Sequence, residues 1–261
     1  MKKITFGFVG TGVLASSVIT GICSSPEIKN TGVVVSPRNA ETARRLAAVY
    51  DNVKIAASNQ EVLDASDWVM ISVLPPAAEE VTRKLSFRPD HTVISVVASK
   101  RLDVIQNWTS PAARLIRMVP MPFAARRTGP IAMYPSDGEI EEFFGRLGRV
   151  VVMDDETQVE TANAITSVTN ALYTVINDVA GWGERSGLPR GRALGYTISY
   201  FSAMLEQIAG DRAAELERLV KERTPGGIND LVLRLFYEQN AFRAWTEGLD
   251  AALKRVRADY I

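Results

Sequence analysis

Cysteine and histidine each occur once in this 261-residue chain. The lone Cys23 excludes an intramolecular disulfide and any cysteine cluster for a metal. The lone His91 opens an expected strand, where a structural role is the simpler reading. Lysine is missing between Lys100 and Lys221. A helix in that interval therefore has no lysine to protonate a developing alkoxide. Charge of one sign is missing too: thirty Lys and Arg balance thirty Asp and Glu. No overall field then favours nucleic acid or an anionic membrane as partner. No apolar run approaches the roughly 20 residues that span a bilayer. The opening MKKITFGFVGTG carries two lysines, but a glycine turn stands where a signal peptide would run on apolar. Internal repeats and low-complexity tracts are also lacking. What remains is a soluble, cytoplasmic protein, and 46% apolar residues give it a core.

The chain has two rhythms. Short β-branched runs at 4–9, 32–36, 68–74, 91–97 and 114–119 read as strands, with later ones at 128–135 and 149–154. Helical stretches at 13–24, 39–49, 59–65, 77–85, 101–108 and about 138–147 lie between or beside them. Alternation of this kind implies a doubly wound, mainly parallel α/β sheet of the Rossmann type. After Asp154 the strands stop. Asp155 and Gln158 have the spacing of a capping box, and apolar residues from Ala162 to Trp182 follow at helical spacing. Further helices are expected at about 190–209, 211–223, 228–239 and 241–258. The expectation is a dinucleotide-binding domain over 1–154 and an all-helical domain over 155–261. The 155–186 helix is apolar around much of its girth, so it needs cover on several sides. A second copy of the chain would supply that cover, which makes a homodimer the expected assembly.

The run FGFVGTGVLASSVI places Gly10-x-Gly12-x-x-Ala15 between the first strand and its helix. Gly10 permits the tight turn, Gly12 leaves space for a pyrophosphate, and Ala15 lets helix and strand approach. The phosphates would face the helix N-terminus, past Thr11, Val13 and Leu14. The second strand ends in VVVSPRNAET, with Ser36, Arg38 and Asn39 and no acid before Glu41. A ribose-binding acid is the usual mark of NAD, whereas an arginine fork suits a ribose phosphate. NADP, as NADPH in preference to NADH, is the cofactor this pattern favours; the bland alternative is a solvated Arg38. Without a histidine or lysine to serve as proton donor, reduction of a protonated imine is better matched than reduction of a ketone.

A second glycine feature lies in KERTPGGINDLV, residues 221–232. Pro225, Gly226 and Gly227 turn the chain into a new helix. That turn reads either as a helix–helix corner or as a backbone cradle for an anion.

These pieces together resemble the pyrroline-5-carboxylate reductase family over nearly the whole chain. GFVGTGVLASSVITGI is similar to its opening fingerprint, WVMISVLPP to a strand ending in a Val-Lys-Pro-Gln turn, and VISVVAS to the following strand. RLIRMVPMPFAARRTGPIAMYP stands for its Arg-x-Met-Pro-Asn-Thr-Pro segment. ERSGLPRGRAL, TPGGIND and NAFRAWTEGLDAALKR follow in the family's order. That family reduces 1-pyrroline-5-carboxylate to proline with NAD(P)H, and its helical domains intertwine as dimers. The resemblance implies further cofactor contacts at Val73, Leu74, Pro75 and Ala98. It also implies a carboxylated imine substrate held by Thr224, Gly226, Gly227, Ile228 and Asn229, with Asn229 the catalytic candidate at the imine nitrogen. The family's Thr-Thr pair is Ile228-Asn229 here, its lysine is Leu74, and its Met-Pro-Asn segment is shortened to VPMP. TSVTNALY keeps Tyr173 but loses every glycine of the family's Ser-Gly-Ser-Gly-Pro-Ala-Tyr stretch. These departures gather at substrate-facing elements and leave the cofactor turn intact. Another imine or carbonyl substrate, or a regulatory protein that binds NADP without turnover, stays open.

Overall fold

The computed structural model describes residues 4–209 and 212–258. The two opening lysines, Asp211 at the start of one expected helix, and the last residues of the expected helical domain lie outside that range. The described elements run in the order β1 (Thr5–Val9), α1 (Val13–Ser24), β2 (Gly32–Val35), α2 (Ala40–Val49), β3 (Val53–Ile55), α3 (Asn59–Asp64), β4 (Trp68–Ile71), α4 (Pro75–Arg83), β5 (Thr92–Ser95), α5 (Leu102–Thr109) and β6 (Arg114–Val119). A 3-10 turn, Pro122–Arg126, leads to β7 (Pro130–Tyr134), α6 (Gly138–Phe144) and β8 (Arg149–Val152). Helices only then follow: α7 (Glu156–Thr166), α8 (Thr169–Arg185), α9 (Arg190–Ala209), α10 (Arg212–Lys221), α11 (Ile228–Glu238) and α12 (Ala241–Ala258).

The eight strands make one sheet in the order β3-β2-β1-β4-β5-β6-β7-β8. Neighbours are parallel except β6 and β7. Strands buried on both faces favour apolar runs, and β4 (WVMI) and β5 (TVIS, polar only at its two ends) are buried throughout. Phe6 stacks on Phe8 at 4.6 Å and meets Trp68, Phe143 and Phe144 edge-on, which fastens β1 to β4 and α6. The α/β Rossmann fold expected from the alternation is the fold observed. Among the described residues, no helix is long and apolar enough to cross a membrane.

The chain forms two compact units. One runs to Asn163 and takes back the chain from Leu253; the other is Ala164–Ala252. In the first unit, β3 escapes the sequence pattern because VKI is a three-residue edge strand with only Val53 buried. The capping box forms with a small shift. The Asp155 carboxylate accepts the Gln158 N–H at 3.0 Å, while the Gln158 side chain accepts from Asp154 rather than Asp155. The single helix expected over 155–186 is two helices. At Ser167 and Val168 the N–H groups bond back three residues, to Ala164 and Ile165, and the Thr169 hydroxyl donates to the Thr166 carbonyl at 2.7 Å. A TSVT run offers β-branched crowding and hydroxyl competition at that point, and both weaken a continuous helix.

In the second unit α8 and α9 pack together, and a Cβ added at Gly183 would lie 3.3 Å from the Ala193 Cβ. Helices α11 and α12 bury no residue within the chain, although Leu231, Leu235, Phe236, Phe242 and Trp245 lie along them.

Candidate active site

The order β3-β2-β1-β4 reverses direction between β1 and β4, and the C-terminal edge there is where doubly wound sheets take ligands. A cleft of about 440 Å³ occupies that edge. It gathers Gly10, Thr11, Gly12, Arg38, Asn39, Val73 and Leu74 from the expected cofactor set, together with Ser72.

Gly10 adopts φ +98°, and a Cβ there would lie 2.7 Å from the Ser72 carbonyl oxygen. Only glycine fits this turn without strain. The Ser72 hydroxyl fastens the turn from the β4 side by donating to the Gly10 carbonyl at 2.7 Å. From the β2 side the Ser36 hydroxyl accepts the Gly10 N–H at 3.0 Å. Thr11, also buried, donates to the Ser36 carbonyl at 3.1 Å. Asn39 caps α2 through its side-chain oxygen and donates its amide to the Thr11 carbonyl at 3.1 Å. Ser36 is 1% exposed, so it serves as a strut beneath the turn.

Gly12 is the N-cap of α1, and a Cβ on it would meet nothing within 4 Å. The space above it is open, and the first-turn N–H groups of Val13, Leu14 and Ala15 stand at the positive end of a 12-residue helix. Ala15 is buried in the core cluster of β1, as close helix–strand packing requires. A second hollow of about 360 Å³ shares Gly12 and Asn39 with the first; Val13 and Arg45 line it, and Arg45 donates to the Ser16 hydroxyl at 2.9 Å. Arg38 is exposed at the cleft. The Glu80 carboxyl on α4 is held below the usual carboxylate range, first by the Lys84 hydrogen bond and, last in order, by the Arg38 charge. Leu74, 78% exposed, is the N-cap of α4, and Pro75 and Pro76 follow it without N–H groups to offer. Pro75 and Ala98 line neither hollow; Ala98 is exposed after β5.

His91 stands at the opposite, N-terminal edge of β5 and is fully buried. Its Nδ1 accepts the Arg88 N–H at 3.0 Å and its Nε2 lies 3.1 Å from the Leu63 carbonyl. That pairing fixes a neutral ring with the proton on Nε2. Burial, then the Arg88 charge, pushes its pKa down.

The second unit carries the Thr224–Asn229 loop. Gly226 adopts φ +74° and Gly227 is the N-cap of α11. The Gly227 N–H closes a turn onto the Thr224 carbonyl at 2.9 Å, and the Gly226 N–H donates to the Asp230 carboxylate at 3.1 Å. Arg223 pairs with the same carboxylate at 2.7 Å. The Arg223 hydrogen bond, then that of Gly226, holds the Asp230 carboxyl below its usual range. Ile228 and Asn229 are exposed, and among the described residues the Asn229 side chain makes no hydrogen bond. Tyr173, Tyr196 and Tyr200 are exposed too. The sequence reading passed over Ser72, Arg45, Asp230 and Arg117. Arg117 has a signal in hindsight, a second arginine inside the apolar RLIRMV strand.

Known proteins share this fold. A family model described as NADP oxidoreductase, coenzyme F420-dependent, matches residues 5–99. The pyrroline-5-carboxylate reductase of Pisum sativum is 28% identical over 85% of this chain and 84% of its own length. Among solved structures, 1-pyrroline-5-carboxylate reductase from Streptococcus pyogenes has a TM-score of 0.85 at 20% identity, covering 98% of both chains. The Plasmodium falciparum pyrroline carboxylate reductase, solved with NADP bound, has a TM-score of 0.84 at 18% identity and covers 99% of both chains. Over most of its length the chain is similar to pyrroline-5-carboxylate reductases, and it shares their fold.

Proposed function

We propose that this protein is an NADPH-dependent oxidoreductase acting on C=N, which reduces 1-pyrroline-5-carboxylate to proline. The observation that carries the reading is the glycine turn. It is braced by Ser36 and Ser72 on either side and opens above Gly12 at the N-terminus of α1. A pyrophosphate fits such a place because free N–H groups and the helix dipole both favour negative charge. Arg38 at the cleft supports a phosphorylated ribose, and so NADPH over NADH. The names of the curated relatives support the substrate.

NADPH, when bound, supplies the hydride that the imine carbon receives. The chain's part is to orient the imine and to hold its charge. In this reading the first-turn N–H groups of α11, at Ile228 and Asn229, hold the substrate carboxylate, with the Thr224–Gly227 turn shaping the loop. The Asn229 side-chain oxygen, or a water, accepts the hydrogen bond of the protonated imine nitrogen. A protonated imine is already electrophilic at carbon, so positioning does more here than a strong enzymic acid. The second unit's uncovered apolar residues on α11 and α12 support a homodimer formed through that unit.

The Asp230 carboxylate in the loop favours a second reading, an imine recognised without a carboxylate. Steady-state NADPH oxidation with 1-pyrroline-5-carboxylate, compared with unsubstituted 1-pyrroline, separates the two. Faster turnover of the carboxylate with proline as product supports the first reading. Turnover of the plain imine alone overturns it.

A further inference from the structure

Arg117 is the largest side chain the core buries completely. It sits towards the C-terminal end of β6, on the edge of the sheet that bears the cleft. Its guanidinium donates to Glu156 Oε1 at 2.8 Å and to the Ala98 carbonyl at 3.0 Å. Glu156, also buried, accepts in addition the N–H of Leu102, the first residue of α5, at 2.8 Å. Two side chains thus tie β6, the β5–α5 loop, the start of α5 and the start of α7 at one point. The other charges facing them are Arg101, 3.7 Å from Glu156, and Glu160, itself paired with Arg257 at 3.2 Å.

A pair of this kind is a poor source of stability. Desolvating two charges costs about as much as their attraction returns, and apolar replacements often do as well. What such a pair gives is a fixed geometry, and the geometry here converges on one backbone atom, the Ala98 oxygen. Ala98 is exposed between Val97 and Ser99, which are both buried. The loop therefore presents one small residue at the sheet edge and is held from beneath by the arginine.

We propose that Arg117 and Glu156 are positioning residues that hold the Ala98 loop as a platform for the nicotinamide end of the cofactor. This rests on the NADPH reading above. Removing Arg117 alone leaves the buried Glu156 charge with only Arg101, 3.7 Å away, to balance it, so the informative variant is Arg117→Met with Glu156→Gln, which is neutral and keeps an acceptor for Leu102. The measurement compares binding of NADPH with binding of adenosine 2′,5′-bisphosphate, which lacks the nicotinamide, alongside the thermal midpoint. The expected result is a fall of roughly tenfold in NADPH affinity, unchanged affinity for the bisphosphate, and a larger kinetic isotope effect with deuterated NADPH. Equal affinities in variant and wild type, or equal losses for both ligands, would overturn the proposal. If the double variant does not fold, Arg117→Lys, which keeps the charge and loses the fork, is read by the same comparison. Wild-type protein that binds NADPH but reduces no imine refutes the proposed activity and leaves this comparison readable. Wild-type protein that binds no NADPH refutes both.

Discussion

The carboxylate of Asp230 lies 3.1 Å from the backbone nitrogen of Gly226 and accepts its hydrogen, so a loop expected to hold a substrate's carboxylate already holds one of the chain's own. Arg223 completes the pair on the other side. A second anion arriving at the same helix start meets a like charge and an occupied donor. Asp230→Ala releases the Gly226 N–H and frees Arg223. We expect the KM for 1-pyrroline-5-carboxylate to fall about threefold to tenfold, with the KM for unsubstituted 1-pyrroline unmoved. Parallel changes for both imines would show that Asp230 only caps α11.

The two glycines of the cofactor turn respond differently to a methyl group. Gly10→Ala places a Cβ against the Ser72 carbonyl at a positive φ, which costs on the order of 1–3 kcal/mol and lowers the melting temperature. Gly12→Ala meets no protein atom. Its melting temperature should stay near wild type while NADPH binding weakens, because the methyl group enters the ligand's space. Calorimetry beside a fluorescence titration separates the two effects.

Arg38→Ala should weaken NADPH by about tenfold to hundredfold, the worth of a charge-assisted phosphate contact. NADH should change little. Equal losses for both cofactors would refute the phosphate assignment.

His91 is the chain's only histidine, and burial keeps it neutral. Its folded pKa lies below the free value, so the unfolded chain takes up the proton first. Stability is then complete above the free value of about 6.5 and declines as the pH drops through it. The melting temperature should fall between about pH 8 and pH 5, and His91→Gln should flatten that slope. An unchanged slope would place the titration elsewhere.

Much of this architecture is legible in the residues. The strands and helices of the first unit announce themselves by period, and Gly10 and Gly12 by their place after β1. The VKI strand is too short to show a period, and the helix break at Ser167–Val168 depends on hydroxyl competition that apolar spacing does not register. At the cleft, Ser36 looked like a ligand and is a strut, because polarity at a strand end says nothing about which way a side chain is buried. Arg117, Glu156 and Ala98 are far apart in sequence, and only the folded sheet brings them to one point. Asp230 was hidden by its neighbours, since a carboxylate three residues into a helix reads as an ordinary capping group.

The central claim is hydride transfer from NADPH to the carbon of a cyclic imine. The most direct test is to supply NADPH deuterated at the transferred position together with 1-pyrroline-5-carboxylate, and to examine the product by mass spectrometry and NMR. The account predicts proline carrying a single deuterium at the former imine carbon. NADPH bound with no labelled proline formed would contradict it.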